Sequence, residues 1–277
     1  MYTINCKGAL VDLSTPKVMG IINVTPDSFY DGGKTQALTQ VVAQAEKMIS
    51  HGADFLDIGG YSSRPGAADV SEEEELKRVV VAVEAIHREF PETILSVDTF
   101  RSNVAKKAIA AGASIVNDIS GGTLDDKMFA TVAQLGVPYI LMHMRGTPQN
   151  MTEKANYETV TTEVVYELAV RIAEARAAGI NDIIADPGFG FAKTREHGFE
   201  LLQHLEHFKL LETPLLIGIS RKSMIYKTLD VDVQQALNGT TALHSIALLK
   251  GASILRVHDV KEAVQCVTLV SEVINSQ

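Results

Sequence analysis

The chain contains no tryptophan and only two cysteines, Cys6 and Cys266, among its 277 residues. Neither cysteine belongs to a CxxC or to a metal-ligand spacing. A disulfide framework is therefore excluded, and both read as reduced thiols. No apolar run approaches the roughly 20 residues of a membrane span. The opening segment, MYTINCKGALVDL, lacks the basic and apolar regions of a signal peptide. Net charge is −9, and no block of Lys or Arg stands out to hold a nucleic acid. The expected setting is cytoplasmic, with neither nucleic acid nor membrane as partner. GxxxxGKS/T, GxGxxG and HExxH are all missing; DPGFGF carries only two of the glycines such a phosphate loop needs. No Ser-His-Asp or Cys-His arrangement offers a covalent nucleophile.

What is present is a repeating pattern. Short β-branched runs recur at 17–24, 55–60, 94–99, 114–119, 139–144, 182–187, 214–220 and 254–259, each nearly continuously apolar. Such runs suit parallel strands covered on both faces. Amphipathic stretches follow them at 37–51, 71–89, 101–111, 126–135, 156–178, 196–207, 234–249 and 260–274. Several end in a glycine that can cap a helix, as in SHGAD, AAGAS and LKGAS. Eight βα units in series predict a (β/α)8 TIM barrel, an α/β fold, with an open doubly wound sheet as the competing arrangement. No linker divides the chain, so residues 1–277 are expected to form a single domain. The first dozen residues are expected to form a short N-terminal cap on the closed end.

In a barrel the chemistry gathers at the C-terminal ends of the strands. Those ends read Asn23, GGYSSRPG (59–66), Asp98, Asn117-Asp118, MHMRGTP (142–148), DPGFGFAKT (186–194), GISRKS (218–223) and RVHD (256–259). Each polar residue alone has a structural reading. Asp98 and Asp186 can be turn residues, Lys222 a solvated helix start, and RVHD part of a surface ion pair. Six such residues, Asp98, Asn117, Asp186, Lys222, Arg256 and His258, on five strand ends make a pattern. Asp98, Asn117, Asp186 and Lys222 combine acceptors, an amide and a cation that suit a flat, guanidine-like heterocycle. Met142, Phe189 and Phe191 can pack on its faces. Arg64, Arg256 and His258, with a helix start at RVHDV, suit a phosphate or diphosphate. His204 and His207 are expected on a solvated helix face. The acids of SEEEELKRV are expected to favour a helix N-terminus. The polar stretch NVTPDSFYDGG (23–33) places Phe29 and Tyr30 inside a loop after the first barrel strand.

At these residues the sequence resembles the dihydropteroate synthase family of folate biosynthesis. MGIINVTPDSFYDGG, GGYSSRPG, SVDTFRS, VNDISGG, LMHMRGTP, DPGFGFAKT, ISRKS and RVHDV stand in the family's order over about residues 17 to 260. The resemblance implies a transferase that joins 7,8-dihydropterin-6-ylmethyl diphosphate to p-aminobenzoate, releasing pyrophosphate with Mg2+. It implies that Ser63, Asp98, Asn117, Met142, Asp186, Lys222, Arg256, Val257 and His258 hold the pterin diphosphate. It places Phe29, Arg64, Pro65, Lys222 and Ser223 around p-aminobenzoate, and Asn23 on the metal. Asp27, Asp31, Lys222, Arg256 and His258 would carry the catalysis, a dissociative, SN1-like displacement. It further implies a homodimer and a sulfonamide target. Ser63 stands where the family usually has Thr and keeps the hydroxyl. Tyr61 stands where Glu or a small apolar residue is usual. The alternatives are a methyltetrahydrofolate-dependent methyltransferase and a non-catalytic pterin-binding protein. The first should lack SSRPG and RVHDV; the second could lose Lys222 or the loop.

Overall fold

The computed structural model describes residues 2–24, 34–62 and 70–276, with Lys34 and Thr35 described by backbone alone. Asp27, Phe29, Asp31, Ser63, Arg64 and Pro65 lie outside the described residues.

An antiparallel hairpin of β1 (Thr3–Cys6) and β2 (Ala9–Asp12) comes first. The barrel strands follow: β3 (Lys17–Asn23), β4 (Phe55–Gly59), β5 (Ile94–Asp98), β6 (Ile115–Asp118), β7 (Tyr139–Met142), β8 (Ile183–Asp186), β9 (Leu216–Ile217) and β10 (Ile254–Val257). They run parallel in the order β8-β7-β6-β5-β4-β3-β10-β9. A parallel bridge between Ala185 and Leu215 brings the two ends together, so the sheet closes. This decides for the barrel over the open sheet. The helices are α1 (Lys34–Ser50), α2 (Glu72–Glu89), α3 (Ser102–Ala111), α4 (Met128–Leu135), α5 (Val160–Ala177), α6 (Arg195–Gln203), α7 (Ser223–Leu229), α8 (Leu237–Leu249) and α9 (Val260–Asn275). None is long and apolar enough to cross a membrane. The short helix α7 falls outside the expected helical stretches, and α6 stops at Gln203, before the expected end at 207.

Residues alternate between the two faces of each strand, and this parity organises the molecule. Val18, Leu56, Leu95, Val116, Leu141, Ala185, Ile217 and Leu255 belong to the large core shared with the helices. Met19, Phe55, Ile115, Ile140, Ile184, Leu216 and Ile254 form a second cluster, joined by Ile4, Cys6 and Leu13 from the N-terminal segment. The hairpin thus plugs the end of the barrel where the strands begin. Burying each such side chain contributes roughly 1.5–3 kcal/mol. One or two residues further along the same inward parity, the side chains become polar.

Candidate active site

The inward face of β4, β5, β6, β8 and β10 carries Asp57, Asp98, Asn117, Asp186 and Arg256. Register places Asn117 beside Asp98, and Asp98 beside Gly59. The Arg256 guanidinium bridges two carboxylates, with Nε 2.6 Å from Asp57 Oδ2 and Nη2 2.6 Å from Asp98 Oδ2. Asn117 Nδ2 donates to the same Asp57 oxygen at 2.8 Å. Asp57 is fully buried, and its Oδ1 has no hydrogen-bond partner among the described residues. Burial pushes the Asp98 carboxyl up to about 7 against the pull of Arg256. For Arg256 burial works downward, but Asp57 and Asp98 outweigh it and hold the guanidinium above its ordinary value.

Asp57 was not among the expected site residues. The signal was a charged residue inside the apolar run FLDIGG. It is two positions before Gly59, on the same parity as the strand end. Only the register, which sets it beside Ile21 and Ser96 inside the barrel, makes that parity meaningful.

Asp186 ends β8 and is 6% exposed. It accepts the Gly188 amide at 2.7 Å, and burial pushes its carboxyl up while Lys222 opposes. Lys222 precedes α7 as its N-cap and donates to the Phe189 carbonyl. Its Nζ also lies 4.5 Å from the centroid of the Phe191 ring. Burial brings this ammonium down to about 8. Lys222 is therefore fixed by a turn that follows a different strand. Glycines at 188 and 190 and Ala192 all have positive φ there. A Cβ on Gly188 would collide with the His143 carbonyl oxygen, so that position admits only glycine.

Phe189 is fully exposure-free and belongs to the outer core, so its ring is not a wall of the site. Phe191 and Met142 pack in a separate cluster with Ile119, Met144 and Ala192 beside the strand ends. His258 follows β10, and its Nδ1 lies 3.1 Å from Ser220 Oγ, which also accepts the His258 amide at 3.2 Å. Asp259 takes the Arg221 guanidinium at 2.7 and 2.6 Å. That pair fixes the strand end from which His258 projects. Val257 is fully buried. Ser223 opens α7 and is exposed, as is Asn23 at the end of β3.

Two expectations away from the centre change. Glu75 of the acidic helix start is fully buried and pairs with Thr99 Oγ1 and Arg101 Nη1, both at 2.6 Å. It holds the β5 exit rather than only favouring a helix end. Tyr61 accepts a hydrogen bond from Gln149 Nε2 at 2.8 Å and meets the Phe100 ring edge-on at 5.0 Å. The rings of His204 and His207 stack at 5.4 Å, and no metal-holding cluster of His, Cys, Asp or Glu occurs among the described residues.

Comparison with known proteins agrees with this geometry. The family described as "Pterin binding enzyme" matches residues 19–258. The dihydropteroate synthase of Escherichia coli K12 is 45% identical over 273 residues, covering 98% of this chain and 96% of that one. The Yersinia pestis synthase, solved as a sulfonamide complex, is 43% identical over the whole of both chains with a TM-score of 0.92. The Xanthomonas albilineans synthase, solved with 7,8-dihydropteroate, is 38% identical with a TM-score of 0.88, covering 99% of each chain. With the inward polar ring, the closed barrel and these matches in hand, the chain belongs to the pterin binding enzyme family and, within it, to the dihydropteroate synthases.

Proposed function

We propose that this protein condenses 7,8-dihydropterin-6-ylmethyl diphosphate with p-aminobenzoate, giving 7,8-dihydropteroate and pyrophosphate. The observation that carries the reading is the convergence of Asp57, Asp98, Asn117, Asp186, Lys222 and Arg256 at one barrel mouth. Relatives have been solved with 4-aminobenzoic acid and with 7,8-dihydropteroate. A methyltransferase sharing the Asp/Asn floor would have no use for the Arg256 and His258 pair, and a non-catalytic binding protein could lose Lys222, which is retained here.

In this reading Asp98, Asn117 and Asp186 take the N–H edge of the pterin, and Lys222 donates to a ring acceptor. Met142 completes the pterin side, and the backbone at Val257 lies with the diphosphate residues. Arg256, His258 and the hydroxyl of Ser63 hold the diphosphate, with the N-terminal amides of α9 adding to anion affinity. An arylamine is a weak nucleophile, so stabilising the departing charge matters more than activating the attack. Cleavage of the C–O bond to diphosphate leaves positive character on the exocyclic carbon, which the electron-rich dihydropterin spreads. The amine nitrogen then forms the new C–N bond and loses its proton to solvent or diphosphate. Asp27 and Asp31 steady that cation. Phe29, Arg64, Pro65, Lys222 and Ser223 form the p-aminobenzoate pocket, which a sulfonamide would share.

Mg2+ fits the donor set. Asn23 offers an exposed amide oxygen at a strand end, and Mg2+ commonly takes few protein ligands beside water and substrate phosphate oxygens. Bound at Asn23, it would supply charge neutralisation to the leaving diphosphate. A homodimer and a cytoplasmic setting complete the reading. The exposed Ile246, Leu249, Leu269 and Val273 on neighbouring α8 and α9 give the dimer an apolar face, and both cysteines are free and buried. Pyrophosphate release on mixing both substrates with Mg2+ tests the activity. No release with intact substrates would overturn it. Sedimentation of Leu269→Glu against the parent tests the dimer.

A further inference from the structure

Lys193 is a buried cation that the reaction as described leaves unused. It is 8% exposed, and its Nζ lies 2.8 Å from His143 Nδ1, 3.0 Å from the Phe191 carbonyl and 3.3 Å from the His143 carbonyl. Three acceptors match the three N–H bonds of an ammonium. Burial works against that charge, with Asp186 opposing the burial.

The imidazole is set to receive it. His143 Nε2 lies 2.9 Å from Glu167 Oε2, which accepts a hydrogen bond from its N–H and leaves Nδ1 as the acceptor. Burial, followed by the Lys193 charge, pushes His143 down to about 4, so the ring is neutral. Glu167 is held in turn by Arg145, which also reaches Glu163 at 2.9 Å. The chain Lys193–His143–Glu167–Arg145 therefore runs from the turn after β8 to helix α5.

What Lys193 grips is the turn that fixes Lys222. Phe189 offers its carbonyl to Lys222, and Phe191 offers its carbonyl to Lys193 and its ring to Lys222. Ala192, between Phe191 and Lys193, has φ +48, a conformation costly for a residue with a Cβ. Such a backbone persists only when its surroundings over-determine it, and the three bonds of Lys193 do so. The same ammonium binds the residue after Met142, whose amide donates to the Asp186 carbonyl at 2.9 Å. Lys193 thus ties the exits of β7 and β8 together.

We propose that Lys193 is a positioning residue for the pterin side of the site, acting through the Phe189–Phe191 turn on Lys222 without touching substrate. The inference rests on the pterin-binding reading above.

Lys193→Met in the full chain keeps the length of the side chain and removes its donors. Calorimetric titration with the free pterin alcohol should show affinity reduced about tenfold. The KM for p-aminobenzoate at saturating pterin diphosphate should rise as well, because Lys222 also lines that pocket. In a Lys222→Met background the same substitution should cost less than twofold, because its route is already gone. His143→Leu, which deletes one acceptor and leaves Lys193 in place, should give a smaller loss, about threefold, with the same dependence on Lys222. It serves as the reading should Lys193→Met fail to fold. Full pterin affinity in these variants, or equal losses with and without Lys222, overturns the proposal. A parent protein that binds no pterin overturns the functional reading instead.

Discussion

Arg256 reaches across the barrel mouth to Asp57, 199 positions earlier in the chain, with Nε 2.6 Å from the carboxylate. Asn117 shares that carboxylate oxygen, so one buried group orients both a cation and an amide of the site. Asp57→Ala should destabilise the protein by on the order of 3 kcal/mol, since it leaves a largely buried guanidinium with only Asp98. Denaturant unfolding reads this. The kcat/KM for the pterin diphosphate should fall at least about tenfold, equivalent to roughly 1.4 kcal/mol of transition-state stabilisation. Unchanged values of both would remove Asp57 from the site.

Arg256 divides the ligand. Arg256→Ala should weaken the diphosphate substrate far more than the free pterin alcohol, because only the former carries the anion. Asp98→Ala should instead weaken both, by roughly 1–3 kcal/mol. Parallel titrations with the two ligands separate these cases, and equal losses on Arg256→Ala would contradict the division.

Pterin affinity should follow a bell-shaped pH dependence. Asp98, raised to about 7 by burial, accepts N–H bonds best when ionised, so affinity should rise through pH 7. Lys222, lowered to about 8 by burial, donates best as an ammonium, so affinity should fall above pH 8. Asp98→Asn should flatten the acid limb and Lys222→Met the basic one. Stability gives an independent check. A carboxyl raised in the folded state binds its proton more tightly there, so the native state holds extra protons from about pH 4 to 7. Stability should therefore fall as pH rises across that window, and Asp98→Asn should reduce the slope.

Gly188 has φ +68 and faces the His143 carbonyl. Gly188→Ala combines a left-handed backbone with a collision, at a cost of about 1–3 kcal/mol for the backbone alone. Thermal unfolding should show the loss, together with weaker pterin binding, because the turn that holds Lys222 begins here.

Phe29 lies outside the described residues, but its place in NVTPDSFYDGG yields a separable expectation. Phe29→Ala should leave pterin affinity within twofold and raise the KM for p-aminobenzoate several-fold. Hydrogen exchange over residues 23–33 should slow when pterin, pyrophosphate and Mg2+ are all present. Identical exchange with and without them would exclude an ordering role for the segment.

The eight-fold alternation of apolar runs and amphipathic stretches was legible along the chain because periodicity is local: a strand buried on both faces must be apolar throughout. The polar strand ends were legible for the same reason, since Asp98, Asn117, Asp186 and Lys222 interrupt that pattern. The boundaries slipped where local signals were weak, as at β9, only two residues long, and at α7 beyond it. Tertiary structure decided what pairs with what. Closure between Ala185 and Leu215, the meeting of Arg256 with Asp57 and Asp98, and the grip of Lys193 and Lys222 on one turn join residues far apart in sequence. No local pattern encodes them, because inward parity acquires meaning only once strand register and barrel closure have turned those side chains toward a common axis.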